Sequence, residues 1–311
     1  MITSVLRDHE TCDRYSRLMH MTMTMINRQI FAPLLVAVVM LTTASAQTPA
    51  PAASEEKGLT SYVEFGGTSN SEGQVYRVDS SVGYKFNQHF ATDVGVPIYF
   101  VRASSATGTS ENGIGNPYLD LKFKALNPTL NFGSVVTGYA PLADSKKGLS
   151  TGRATFDWTN RVDHSFSSLT PFADIGLSNT TLDTRLFIRP YTTLGMNTHF
   201  EGGSSLDLGR FFSVGASGYD IVPFGQQTVF SKVTPGSAQS AGHGHAFQNN
   251  QQTTGSADIA KDDGFSTWIE VTPKTYVDME LAYTRSMNYD LNSVSFTIGM
   301  NVGYLAHRKS K

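Results

Sequence analysis

Near the end of the chain, VSFTIGMNVGY sets Val294, Phe296, Ile298, Met300, Val302 and Tyr304 against Ser295, Thr297, Gly299, Asn301 and Gly303. Large apolar residues alternating with small or polar ones mark a β-strand with two unlike faces, because successive strand side chains point to opposite sides. The same period runs through the body of the chain. In VYRVDSSVGYKF, Tyr76, Val78, Val82, Tyr84 and Phe86 oppose Arg77, Asp79, Ser81, Gly83 and Lys85. In FATDVGVPIYF, Phe90, Val94, Val96, Ile98 and Phe100 oppose Ala91, Asp93, Gly95, Pro97 and Tyr99. YLDLKFKAL sets Leu119, Leu121 and Phe123 against Asp120, Lys122 and Lys124, and ATFDWTNRVD sets Phe156, Trp158 and Val162 against Asp157, Thr159, Arg161 and Asp163. VDMELAY repeats the pattern with Val277, Met279, Leu281 and Tyr283 opposite Asp278, Glu280 and Ala282. No stretch after residue 57 carries a 3.6-residue apolar period.

These patterns predict about twelve strands of about ten residues, the length of a tilted membrane-spanning strand. They are expected to begin near residues 60, 74, 89, 117, 129, 152, 169, 190, 205, 265, 276 and 292. The eighth and ninth, in THFEGGSSLDLGRFFSVGASGY, alternate least cleanly. Tight turns are expected at Asn87-Gln88, Asn127-Pro128, Ser167-Ser168 and Pro273-Lys274. Between them fall longer connections: 104–113, 142–148, NTTLDTR at 179–185, and a long polar stretch from Val222 to Gly264. Only the last link, Asn288 to Asp290, is short in that second set. Short turns at one end and long loops at the other are the arrangement of an outer-membrane barrel, with turns toward the periplasm. Phe86, Phe90, Phe166, Tyr276 and Tyr304 all fall at the short-turn end, where they would form one aromatic girdle. A soluble β-sandwich would also alternate, but its connections would not sort by length between its two ends. The expected fold is therefore all-β, an antiparallel transmembrane up-and-down barrel spanning residues 58–305.

Composition agrees with that reading. Charged residues make up 16% of the 311 residues and aromatics 11%, against about a quarter charged in an ordinary soluble domain. The net charge of −2, without a basic cluster in the body of the chain, argues against nucleic acid as a partner. At the N-terminus Arg28 precedes an apolar run from Ile30 to Leu41 and then Ala44-Ser45-Ala46. This is the pattern of a secretory signal peptide, expected to span 25–46 with cleavage after Ala46. Residues 1–24 read as an upstream mis-start or an extended n-region, 47–57 as a disordered leader, and 306–311 as a basic tail. The single cysteine, Cys12, lies ahead of the cleavage site, so the mature chain offers no disulfide and no cysteine metal site.

The segment GIGNPYLDLKFK at 113–124 carries a family likeness. With Gly113, Gly115, Asn116, Leu121, Lys122 and Phe123 it resembles the Gram-negative outer-membrane barrels of the meta-pathway of phenol degradation, a transporter family. The likeness extends loosely over residues 58–305 through strand rhythm and loop placement. It implies a barrel that passes small solutes, aromatic or hydrophobic ones among them, and it brings no catalytic residues with it. One departure is the basic stretch LAHRKSK after Tyr304, where many such barrels end on an aromatic residue.

Candidate chemistry follows from the polar face. In a closed barrel Arg77, Asp79, Lys85, Asp93, Asp120, Lys122, Lys124, Asp157, Arg161 and Asp163 would line a hydrated lumen, with mixed signs forming cross-strand ladders that shape a pore or brace a plug. Enzyme chemistry finds little footing. His164 and Ser165 are adjacent on a strand and point apart. His199 and Glu201, near Ser204 and Ser205, read as polar residues of a periplasmic turn. His243 and His245 lack a third ligand at metal-binding spacing. The expectation is a monomeric outer-membrane channel without cofactor or metal, surrounded by lipid and inserted by the barrel assembly machinery. The alternatives are a non-transporting barrel with a structural, adhesive or surface-binding role and, behind it, an outer-membrane hydrolase.

Overall fold

The computed structural model describes residues 57–104, 110–127, 129–181, 183–231 and 252–303. The expected signal peptide, the leader up to residue 56 and the basic tail, with Tyr304, His243 and His245, lie outside the described residues. Sixteen strands form among those described: β1 (Gly58–Asn70), β2 (Gly73–Lys85), β3 (Phe90–Ala103), β4 (Glu111–Ile114), β5 (Tyr118–Ala125), β6 (Asn131–Tyr139), β7 (Thr155–Asp163) and β8 (Leu169–Ser178). There follow β9 (Tyr191–Leu194), β10 (Asn197–Asp207), β11 (Phe212–Pro223), β12 (Gln227–Ser231), β13 (Gln252–Gly255), β14 (Asp262–Lys274), β15 (Val277–Ser286) and β16 (Leu291–Asn301).

Twelve of these close an antiparallel barrel. Sequential neighbours pair around the wall, and β1 pairs with both β2 and β16, so no edge is left open. The fourth wall strand is broken in two. β4 pairs with the outer half of β3 and β5 with its inner half, and Gly115-Asn116-Pro117 bridges the gap. Here the residues of the family likeness have work to do: Gly115 N donates to Pro97 O at 2.7 Å, and Asn116 Oδ1 accepts from Ala143 N at 3.1 Å. β9, β12 and β13 form a separate small sheet.

The period-two pattern sets the two faces as expected. Val94, Leu121, Trp158, Ile175, Leu281 and Val294 stand exposed on the outer surface, while Ser266, Thr284, Ser293, Ser295 and Thr297 are buried inside. An apolar exterior around a polar interior is the reverse of a soluble protein and requires lipid outside. Large rings on the inner face find room over glycines of the adjacent wall. A side chain at Gly95 would overlap the Tyr118 ring, one at Gly176 the His199 ring, and one at Gly215 the Trp268 indole.

The connections 86–89, 126–130, 164–168, 208–211 and 275–276 share one end with Gly58 and Asn301. Phe86, Phe90 and Phe166 stand exposed there, and Tyr276 is half-buried. Ring contacts Phe90–Phe123 at 5.0 Å and Phe123–Phe132 at 6.3 Å extend that aromatic rim. The opposite end carries the long connections and one further tight link, in which Asn70 Oδ1 accepts from Glu72 N and Gly73 N.

Two expectations are corrected. The eighth and ninth wall strands begin at Asn197 and Phe212, not near 190 and 205. Tyr191–Leu194, near the expected start of the eighth strand, form β9, which pairs with β12 and not with the wall. In consequence His199 and Glu201 are not in a periplasmic turn. They sit inside β10, paired with Gly176 and Asp174 of β8, and the turn itself lies at 208–211.

Candidate functional site: the barrel interior

The inner face repeats one motif, a basic side chain held between two carboxylates. Arg77 donates to Glu64 Oε1 at 2.7 Å and lies 3.5 Å from Asp183. Lys122 Nζ meets Asp93 at 2.5 Å and Asp120 at 3.5 Å. Arg161 lies 3.2 Å from Asp174 and 3.8 Å from Asp163. Arg185 contacts Glu270 at 2.9 Å and Glu280 more closely still. Arg77–Glu64, Lys122–Asp93 and Arg161–Asp174 pair across adjacent strands, whose inner-face residues stand side by side. Lys122–Asp120 and Arg161–Asp163 join next-but-one residues of one strand, and Asp183 and Arg185 come from the segment after β8.

The remaining sequence candidates are placed as follows. Asp79 accepts from the Tyr118 hydroxyl at 3.2 Å. Asp157 accepts from Thr159 at 2.6 Å and meets His199 Nε2 at 2.8 Å. Asp163 accepts from Asn131 at 2.9 Å. Lys85 and Lys124 border the cavity at the short-turn end, beside His89. His199 Nε2 also lies 3.5 Å from the Thr159 hydroxyl, which itself donates to Asp157.

The largest departure from expectation is NTTLDTR. The chain after β8 does not stay outside; it turns into the barrel and crosses it. Ile188 N donates to Thr68 of β1 at 2.8 Å, and the Ile188 side chain packs against Val75, Val101 and Leu149. Leu186 packs on Phe172, Trp268 and Ala282. Asp183 accepts from Tyr99 of β3 at 3.0 Å, while Arg185 reaches β14 and β15. The segment is thus tied to opposite sides of the wall. Where it leaves the interior, Arg189 and Asp262 form a buried pair at 2.9 Å, with side-chain exposures of 3% and 0%. Tyr219 and Ser286 donate to the same carboxylate, and Tyr191 accepts from the guanidinium. Burial alone would disfavour the Arg189 charge, and the surrounding groups, Asp262 among them, hold its pKa above the ordinary guanidinium value.

The crossing divides the interior. A cavity of about 270 Å³ lies on one side, walled by Tyr99, Tyr118, Tyr139 and Tyr191. One of about 260 Å³ lies on the other, beside His199, Glu201 and Phe187. Thr180, Thr181, Asp183 and Arg189 border both. Toward the short-turn end the interior opens into a cavity of about 460 Å³ lined by Tyr62, Lys122 and Asp120.

A closed twelve-stranded antiparallel barrel with an apolar exterior, a polar interior and short turns at one end is a β-barrel of the outer-membrane type. Among solved structures the chain is similar to an outer-membrane channel from Pseudomonas putida F1, with a TM-score of 0.53 and 8% identity over 82% of this chain and 100% of that chain. At that identity the likeness is one of fold. The KdgM porin (TM-score 0.45, 5% identity, covering 77% of this chain and 98% of that chain) and the NanC porin (0.44, 8%, 78% and 98%) match more loosely, and their scores carry no weight. No protein-family model and no curated protein sequence matches the chain.

Proposed function

We propose that this protein is an outer-membrane channel that lets small solutes diffuse through the barrel interior, with the segment between β8 and β9 as its constriction. The observation that carries the reading is that this segment crosses the interior yet leaves cavities of about 270 and 260 Å³ against it and about 460 Å³ toward the short-turn end. Cavities of this size fall near or below the usual range for drug-sized ligands, so the solutes are small. Four tyrosines around the first cavity favour flat aromatic solutes, as does the resemblance carried by residues 113–124. The barrel works as a single copy in outer-membrane lipid, inserted by the assembly machinery.

Proteoliposome swelling tests the reading. Entry of pentose-sized sugars, with rates falling steeply toward trisaccharides, is the expected result. Swelling no faster than in protein-free liposomes would rule out a diffusive channel. A second reading, a barrel closed to solutes and serving another surface role, draws on the same segment, because its anchors on β1, β3, β14 and β15 are those a permanent plug would need.

A further inference from the structure

Resting on the channel reading, we propose that the interior selects for cations, and that the solutes it favours are small positively charged molecules such as amines. The four clusters centred on Arg77, Lys122, Arg161 and Arg185 each hold one base between two acids. With every group ionised, each cluster keeps an uncompensated negative charge. Arg189 adds no positive field to offset this, since Asp262 neutralises it in a buried pair.

The excess is concentrated at the constriction. The cavity on the β8–β10 side is bordered by Asp157, Asp174 and Glu201. Of the cations near it, Arg161 is engaged by Asp163 and Asp174, and His199 faces Asp157. The Glu201 side chain has no ion-pair or hydrogen-bond partner among the described residues. Phe187, Leu186 and Ile221 border the same cavity. Carboxylates and apolar side chains around one cavity suit a solute with a charged amine at one end and a hydrophobic body at the other. Lys85 and Lys124 oppose the trend, but they lie at the short-turn mouth and border the wide cavity, not the constriction. Low-dielectric walls focus the field of fixed charges into a narrow aqueous space, and screening acts over about 10 Å at 0.1 M salt. The acids at the constriction therefore act on every ion that passes it.

The test is the zero-current potential of the purified full-length protein in planar bilayers under a KCl gradient. A potassium-to-chloride permeability ratio above about three near 0.1 M salt is expected, with a smaller ratio for Glu201→Gln. In swelling assays, arginine should enter faster than glutamate. Current with a ratio at or below one would overturn the cation preference while leaving the channel standing. Absence of any current would overturn both.

Discussion

Asp262 is fully enclosed, and its carboxylate accepts from Arg189, Tyr219 and Ser286 at once. Asp262→Ala would leave the Arg189 guanidinium buried without its counter-charge. Breaking one partner out of a buried, hydrogen-bonded pair costs roughly 3–5 kcal/mol, so urea unfolding in detergent should show a loss of that order. A loss below about 1 kcal/mol would mean the pair is solvated or replaceable. Titration belongs to the same scale. Carboxylates supply the negative excess of the interior, and acidification neutralises carboxylates. The cation preference should therefore be full at pH 7 and weaken on acidification; a ratio that does not change down to pH 4 would point to some other source. Neither Asp262 nor Arg189 was singled out in the sequence. They lie 73 residues apart, one of them in a stretch without period, and no local pattern connects them. Glu64 and Glu280, by contrast, sit at inner-face positions of strands with clear alternation and could have been added to the candidate list by the same rule that found Arg77.

At the scale of elements, strand positions followed from alternation wherever residues were large outside and polar inside, as in β2, β3, β5, β7, β15 and β16. The rule failed at β10 and β11, where Gly202, Gly203, Gly215 and Gly218 replace the side chains that would mark a face. It also failed for the inward segment. A chain that packs by isolated contacts, Leu186 on Trp268 and Ile188 on Val75, has no repeating period to detect. The charges of NTTLDTR looked like those of an exposed loop, yet Asp183 and Arg185 are the groups that fasten it. Arg185 is about half exposed to the interior, but its partner Glu280 is buried, so removing Arg185 strands that carboxylate without its counter-charge and should cost stability. It should also loosen the segment: Arg185→Ala is expected to enlarge and destabilise the open current level. Unchanged current steps would show that the apolar anchors at Leu186 and Ile188 suffice alone.

For the whole molecule, closure is the defining property. Every wall strand pairs on both sides, so the barrel should unfold as one unit and resist detergent until heated. Unheated samples are expected to run faster on a detergent gel than boiled ones; identical mobility, with extraction by salt alone, would contradict a membrane barrel. The sorting of short and long connections predicted this closure without a single long-range contact being visible in the sequence. The division of the interior was not visible in the same way, because it depends on which loop folds inward. The central claim, a narrow but open passage beside the β8–β9 segment, is tested most directly by single-channel recording of the wild-type protein in planar bilayers. Discrete current steps are expected, growing when residues 183–188 are replaced by a short Gly-Ser link. A wild-type protein that carries no current, while the shortened variant does, would show the segment to be a plug and the barrel to be closed.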